Sequence, residues 1–202
     1  MDDGSNYEVQ WDSANSDISR KVECPVISMK RVSRFSAYQS ELKKLKQTDN
    51  ELGCIPTNIA AALRAYGVPH ASEKLIQLAY QYAISFEKVK YGVLDKLEEM
   101  IGESASTGFE LEHQPGINSF NEWWAKVTEC IDKKDSPVIF PYKANGCHVV
   151  TAIGYDDEKL EIYDPWPCSP EEIQEVRKSV LKEKWDSGKL PGEILSVKKK
   201  TV

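Results

Sequence analysis

The chain has 202 residues, a formal net charge of −6 at pH 7 and a hydrophobic fraction of 41%. This balance is typical of a globular protein with a substantial core and excludes a highly charged disordered chain. The acidic net charge gives no electrostatic basis for binding nucleic acid, and no apolar run reaches the ~20 residues of a membrane-spanning helix.

The first six residues are acidic and polar, without the apolar segment of a secretory signal, so we expect a cytoplasmic location. Five cysteines occur without any C-x-x-C pair, and three histidines accompany them. These counts do not match zinc-binding spacings, and a disulfide framework is not expected in such a chain. We therefore predict reduced thiols, no metal and no cofactor, and leave the oligomeric state open.

The first half of the chain is predicted to be mainly helical. Residues 1–20 have no hydrophobic period and are predicted to form a loose arm, which precedes a short edge strand over residues 24–29. Apolar residues at helical spacing then predict a series of helices. These cover residues 35–46, 54–66, 73–82, 92–101 and 119–131, with a loop over 103–118 that holds a short strand near 109–111.

The helix that begins at Cys54 is the most informative of these elements. Pro56 suits a first helical turn, and Gly67 supplies a left-handed stop. Cys54 therefore lies at the helix N-terminus, where unsatisfied N–H groups and the helix dipole favour a thiolate over a thiol. A reactive cysteine is the prediction, provided that a base lies nearby.

The second half of the chain changes to β-branched runs. Strands are predicted over residues 137–142, 147–154 and 160–165, a helix from Ser169 towards Trp185, and a last strand over 192–197. Helices followed by strands indicate an α+β fold with a largely antiparallel sheet. No repeat or linker divides the chain, so a single domain over residues 1–202 is expected.

A hairpin with a three-residue loop over residues 155–157 would place His148 opposite Asp164, with Cβ atoms roughly 5 Å apart. Val150, Ala152 and their partners then share the same sheet face. If that apolar face packs on the Cys54 helix, His148 is brought to the thiol. The register thus predicts a cysteine, a histidine and an aspartate at one place.

These three residue types have complementary chemistry. A thiol needs a base or cationic partner to be a thiolate at neutral pH, and imidazole titrates in the required range. A carboxylate on the far ring nitrogen fixes the tautomer and stabilises the imidazolium. An oxyanion also needs a hydrogen-bond donor besides the backbone N–H of Cys54, for which Gln47 is the first candidate and Asn50 a weaker one.

The motifs resemble those of the papain-like cysteine peptidase superfamily, in particular the branch of bacteriocin-processing (double-glycine leader) peptidases and their stand-alone relatives. The resemblance lies in residues 53–58 with the following Ala-rich helix, in residues 146–150 before the Gly-Tyr-Asp turn, and in Asp164-Pro165. It covers roughly residues 47–166. Two positions depart from the pattern, because Ile55 stands where Gly is common and Gln47 is seven rather than about six residues before the cysteine.

The resemblance implies a papain-like fold, in which an N-terminal nucleophile helix packs on a mainly antiparallel sheet. It implies Cys54 as nucleophile, His148 as general base and acid, Asp164 as the residue that orients the imidazole, and Gln47 as oxyanion donor. Hydrolysis of a peptide or related amide bond is the favoured reaction. An acyltransferase or isopeptidase with the same residues, or a catalytically silent binding module, is the alternative.

Two further expectations concern single residues. Trp166 lies just beyond Asp164 and is expected to form a wall of the substrate cleft. His70 and His113 fall in predicted loops and are expected to be exposed.

Overall fold

The computed structural model describes residues 29–33, 39, 53–66, 68, 71, 108–142, 148–166 and 173–199. Three helices and seven strands occur within these ranges. In chain order they are β1 (Lys30–Arg31), α1 (Cys54–Ala65), β2 (Phe109–Gln114), α2 (Phe120–Lys133), β3 (Val138–Pro141), β4 (Val149–Tyr155), β5 (Lys159–Tyr163), β6 (Ile173–Arg177), α3 (Lys178–Asp186) and β7 (Ile194–Lys199).

Several predicted elements lie outside the described residues. They are the arm over residues 1–20 and the helices over 73–82 and 92–101. All but one residue each of the predicted strand over 24–29 and of the helix over 35–46 also lie outside. Gln47, Asn50 and His70 belong to this group, so their predicted roles stay predictions.

The seven strands form one sheet in the order β2-β7-β3-β4-β5-β6, and β1 pairs with β4 beyond the end of β3. Every pairing among the described strands is antiparallel. The predicted α+β class with a largely antiparallel sheet is therefore confirmed. None of the helices in the described ranges is long and apolar enough to cross a membrane.

The helices α1 and α2 lie on opposite faces of β4. The hydroxyl of Thr151 donates a hydrogen bond to Asn58 of α1. On the other face, Phe140 pairs with Val150 and meets Trp123 of α2 edge to face, with ring centroids 5.1 Å apart. The predicted packing of the Val150 face on α1 is thus wrong, because the larger aromatic side chains of α2 fill that face.

The β4–β5 hairpin has a different register from the predicted one. Asp156 accepts hydrogen bonds from the backbone N–H groups of Glu158 and Lys159, each 2.9 Å long, and so closes a tight turn. A bulge lies between Ala152 and Gly154. Ala152 therefore pairs with Ile162 rather than with residue 160. On the Thr151–Ala152 side of the bulge the shift is two residues, so these side chains keep their predicted face, whereas Gly154 pairs with Glu161, three residues beyond its predicted partner.

The helix predicted from Ser169 begins only at Lys178, because Ile173–Arg177 forms strand β6. This strand pairs with β5 over its whole length, from Ile173 opposite Tyr163 to Arg177 opposite Lys159. An open sheet edge thus outweighs the local helix signal, and only Val176 of the strand is buried.

The prediction that His113 lies exposed in a loop is wrong. It lies in β2, is only 9% exposed and contacts Glu193 through Nε2 at 3.2 Å.

The α2 helix follows the sequence prediction closely, since Ser119 caps it by accepting a hydrogen bond from the Glu122 N–H.

Candidate active site

Cys54 is the first residue of α1 and is buried, with 7% of its surface exposed. Gly53 occupies the N-cap without a side-chain hydrogen bond, and its carbonyl accepts the N–H of Thr57. Pro56 falls in the first turn as predicted, where its missing N–H leaves no donor unpaired. The thiol is therefore held at the positive end of a helix dipole in a site largely shielded from water.

His148 directly precedes β4, and its ring is hydrogen-bonded to Asp164 just after β5. The distance from Nε2 to Oδ1 is 2.7 Å, and the two side chains are 17% and 16% exposed. The same carboxylate oxygen accepts the backbone N–H of Trp166 at 2.9 Å. The predicted neighbourhood of His148 and Asp164 is thus confirmed.

The other ring nitrogen of His148, Nδ1, is buried and has no hydrogen-bond partner within the described part of the chain. Because Nε2 faces a carboxylate, a neutral imidazole carries its proton there and leaves Nδ1 free to accept one. The ring therefore keeps one nitrogen for chemistry while the other fixes its orientation.

The pKa of His148 is raised to about 9. Burial is the largest influence and lowers it, but the hydrogen bond to Asp164 and then the interaction with the Cys54 thiol raise it by more in total. The protonated ring is thus favoured by its interactions with Asp164 on one side and with Cys54 on the other. The structure brings Cys54, His148 and Asp164 together, although α1 packs on the face of β4 opposite to the predicted one.

Two aromatic residues border this group. Trp166 is 39% exposed and meets the His148 ring edge to face, with centroids 5.5 Å apart. Burial raises the pKa of Tyr142, and the Asp164 charge raises it further, so this phenol stays neutral. Trp166 therefore lies beside His148, and its role as a wall of a substrate cleft stays a prediction.

Asn58, one turn after Cys54, is a buried polar residue that the sequence reasoning did not single out. Its amide donates to the carbonyls of Cys54 at 2.7 Å and of Val149 at 2.9 Å. The available signal was an asparagine in an otherwise apolar, Ala-rich helix, where it needs buried partners.

Among the described residues, no group of three or more His, Cys, Asp or Glu side chains is arranged to hold a metal ion. The arrangement offers instead a thiol, an imidazole and a carboxylate in that order. Such a set can form a thiolate–imidazolium pair for nucleophilic catalysis at a carbonyl.

A helix that begins at a cysteine and packs on an antiparallel sheet, with a histidine just before one strand and an aspartate just after its neighbour, is the architecture of papain-like peptidase domains. The Peptidase_C39 like family matches residues 38–189 of the chain. The chain belongs to this family. No curated protein matches the sequence of this chain.

Solved structures are similar in fold at low sequence identity. The peptidase domain of Streptococcus ComA, a bifunctional ABC transporter involved in quorum sensing, is 15% identical, with 77% of this chain and 97% of that domain covered and a TM-score of 0.52. A protein described as a C39-like peptidase from Bacillus anthracis is 16% identical, with coverages of 86% and 99% and a TM-score of 0.48.

Proposed function

We propose that the protein is a cysteine peptidase that cleaves a peptide or related amide bond with Cys54, His148 and Asp164. The observation that carries this proposal is the His148 ring, held by Asp164 through Nε2 while Nδ1 stays unpaired among the described groups beside Cys54. Membership in the Peptidase_C39 like family supports the same class of reaction.

In the proposed mechanism, the proton of the Cys54 thiol is transferred to Nδ1 of His148, which gives a thiolate–imidazolium pair. The sulfur attacks the carbonyl carbon, and the carbonyl oxygen becomes an oxyanion near the N–H groups at the start of α1. Gln47 is proposed as a further donor to this oxygen. Asp164 stabilises the charged ring throughout.

Collapse of this intermediate breaks the carbon–nitrogen bond, and His148 gives its proton to the departing amine. The acyl group then remains on Cys54 as a thioester. A water molecule attacks the thioester while His148 takes one of its protons. The carbon–sulfur bond breaks, the carboxylic acid leaves, and the proton returns to the sulfur. The substrate is thus consumed with one water and no other reactant.

The first test measures which thiol reacts fastest. Iodoacetamide is added at about pH 6, where an ordinary thiol is almost fully protonated, and labelling is followed by peptide mapping. Cys54 is expected to react first. Cys130 is the internal reference, because burial raises the pKa of this 1% exposed thiol. Equal labelling of all five cysteines would contradict the activated thiolate.

The second test measures turnover of a mixed panel of fluorogenic peptidyl amides. Cys54→Ala is expected to reduce turnover by at least about 1,000-fold, because the residues of such a site act as a unit. The matched control is Cys130→Ala, which removes a buried thiol elsewhere and is expected to keep turnover. Activity that persists in Cys54→Ala excludes Cys54 as nucleophile, and product trapped by an added amine indicates acyl transfer instead of hydrolysis.

A further inference from the structure

Asn58 joins the two elements that carry Cys54 and His148. It lies in α1 and is fully buried. Its side-chain amide donates to the carbonyl of Cys54 at 2.7 Å and to that of Val149 at 2.9 Å. Cys54 is the candidate nucleophile, and Val149 directly follows His148. A single side chain thus binds the backbone of one candidate catalytic residue and of the residue next to the other.

The orientation of the Asn58 amide follows from its partners. Two carbonyl oxygens require two donors, which only the NH₂ group supplies. The amide oxygen faces the hydroxyl of Thr151, two residues further along β4, which donates to it. The flipped amide would put its oxygen against two carbonyl oxygens and lose both hydrogen bonds. All three interactions therefore specify one geometry.

We propose that Asn58 is a positioning residue, which sets the distance between the N-terminus of α1 and the start of β4 and so aligns the Cys54 thiol with the His148 imidazole. This inference rests on the proposed function of these two residues. Asn58 is not exposed to substrate, and it acts only through the backbone that it binds.

Two physical arguments favour positioning over stability alone. The contact between Cys54 and His148 spans two separate elements, and an error of ~1 Å in such a contact can cost about 100-fold in rate. The Val149 carbonyl bonds to Asn58 at the very start of β4, next to the segment that carries the imidazole. Its loss therefore removes one constraint on the backbone beside His148, whose own carbonyl still accepts the N–H of Tyr142 at 2.8 Å, and leaves the remote parts of the sheet unchanged.

The experiment compares Asn58→Ala and Thr151→Val with the wild-type chain at a temperature where each is folded by circular dichroism. Thr151→Val keeps the shape of the side chain and removes only the hydroxyl that fixes the amide. Two quantities are measured: the pH midpoint of Cys54 alkylation by iodoacetamide, and the His148 titration by NMR. Neither measurement needs a substrate.

We expect the alkylation midpoint to rise towards the ~8.5 of an ordinary thiol, more in Asn58→Ala than in Thr151→Val. We expect the His148 titration to shift in both variants, since Cys54 contributes to the raised pKa of the ring. Thr151→Ser keeps a hydroxyl and is expected to restore the wild-type midpoint. Turnover of the peptidyl amide panel is expected to fall by about 10- to 100-fold in Asn58→Ala.

The matched control is Ser136→Ala. Ser136 is also fully buried and donates from its side chain to a strand carbonyl, that of Val197, at 2.6 Å. Its loss is expected to lower the melting temperature without moving the alkylation midpoint. If Asn58→Ala does not fold, the comparison of Thr151→Val with Thr151→Ser tests whether the Asn58 amide positions Cys54 and His148.

Unchanged alkylation midpoints and His148 titrations in the folded variants overturn the inference and leave Asn58 a structural residue. In that case a low midpoint in the wild-type chain still supports the proposed function. An ordinary midpoint in the wild-type chain overturns both, because there is then no activated thiolate to position.

Discussion

An ion pair lies at each end of β4, and the two pairs differ in whether a side-chain nitrogen is left without a hydrogen bond. At the start of the strand, His148 bonds to Asp164 through one nitrogen. Near its other end, Arg31 of β1 reaches across Gly154 to Glu161 of β5, with Nε and Nη2 at 2.7 and 2.6 Å from the two carboxylate oxygens.

The difference lies in spare bonding capacity. Arg31 is charged at every physiological pH and engages both oxygens of Glu161, whose side chain is only 7% exposed, so this pair fastens β1 to the sheet. In contrast, His148 can lose its proton, and its Nδ1 has no hydrogen-bond partner in the described ranges. A partly buried pair with an unused, titratable atom indicates chemistry, whereas a pair in which both carboxylate oxygens accept hydrogen bonds indicates structure.

The largest expected effect comes from Asp164→Asn, in the pair at the start of β4. Turnover of the peptidyl amide panel is expected to fall by about 100- to 10,000-fold, because the imidazolium loses its carboxylate. The pKa of His148, about 9 in the wild-type chain, is expected to fall, since Asp164 is the strongest influence that raises it. NMR titration of His148 measures this change.

The matched control for Asp164→Asn is Glu161→Gln at the other end of β4. It is expected to lower stability and to leave turnover per folded molecule and the His148 titration unchanged. A His148 pKa that stays near 9 in Asp164→Asn would show that another group holds the ring charged.

Gly154→Ala tests the structural role of the Arg31–Glu161 pair, which crosses Gly154. A Cβ there would lie 2.6 Å from Oε2 of Glu161 and 3.1 Å from the carbonyl oxygen of Lys30. We expect unfolding in urea to show a loss of about 1–3 kcal/mol, typical of overpacking. In a Glu161→Ala background the cost of Gly154→Ala should be smaller, and an equal cost would mean that the ion pair is not the obstacle.

The pH dependence of stability is the third expected difference. The folded pKa of His148 is about 9, above its ordinary value of 6.5. The stability that this ring contributes is therefore fully present below pH 6.5 and is lost as the pH rises through 9, with a slope of at most about 1.4 kcal/mol per pH unit.

Urea unfolding at several pH values measures this slope, and His148→Gln is expected to remove it. Arg31 keeps its charge over the same window, so Arg31→Met should lower stability by a constant amount. A slope that survives in His148→Gln assigns the dependence to another group.

The smallest effect is expected for Trp166→Ala. The substitution removes the ring that covers His148 and keeps the backbone N–H that Asp164 accepts. An aromatic contact is worth about 1 kcal/mol, which corresponds to about fivefold in turnover. Val180→Ala is the control, because Val180 is a similarly exposed apolar residue on α3 and should not affect turnover. A loss as large as that of Asp164→Asn would assign the ring a direct part in the reaction.

The sequence predicts the local elements of the site well, because the signals are local. Pro56 and Gly53 define the start of α1, and Ser119 defines the start of α2. The contact of His148 with Asp164 also follows, since both residues adjoin the same end of the predicted hairpin and a shift of two residues keeps such side chains within reach.

The long-range features could not be predicted from the same signals. Which face of β4 meets α1 depends on the size of Trp123 and Phe140 on the other side. The bulge before Gly154 changes the register without any distinctive residue pattern. β6 forms because β5 offers a free edge, which is a property of the assembled sheet and not of residues 173–177. For the same reason, Asn58 is recognisable only once its partners on β4 are known.

The position of β7 affects how the molecule is assembled during synthesis. β7 is the last described strand in the chain, yet it lies between β2 and β3 and pairs with both. β2 therefore waits for a partner that leaves the ribosome about 80 residues later, and pairings of such long sequence separation slow folding. Strands β3, β4, β5 and β6, the half of the sheet beside His148 and Asp164, can pair before β7 is synthesised. The part of the sheet at the candidate active site can therefore form before the part that contains β2 and β7.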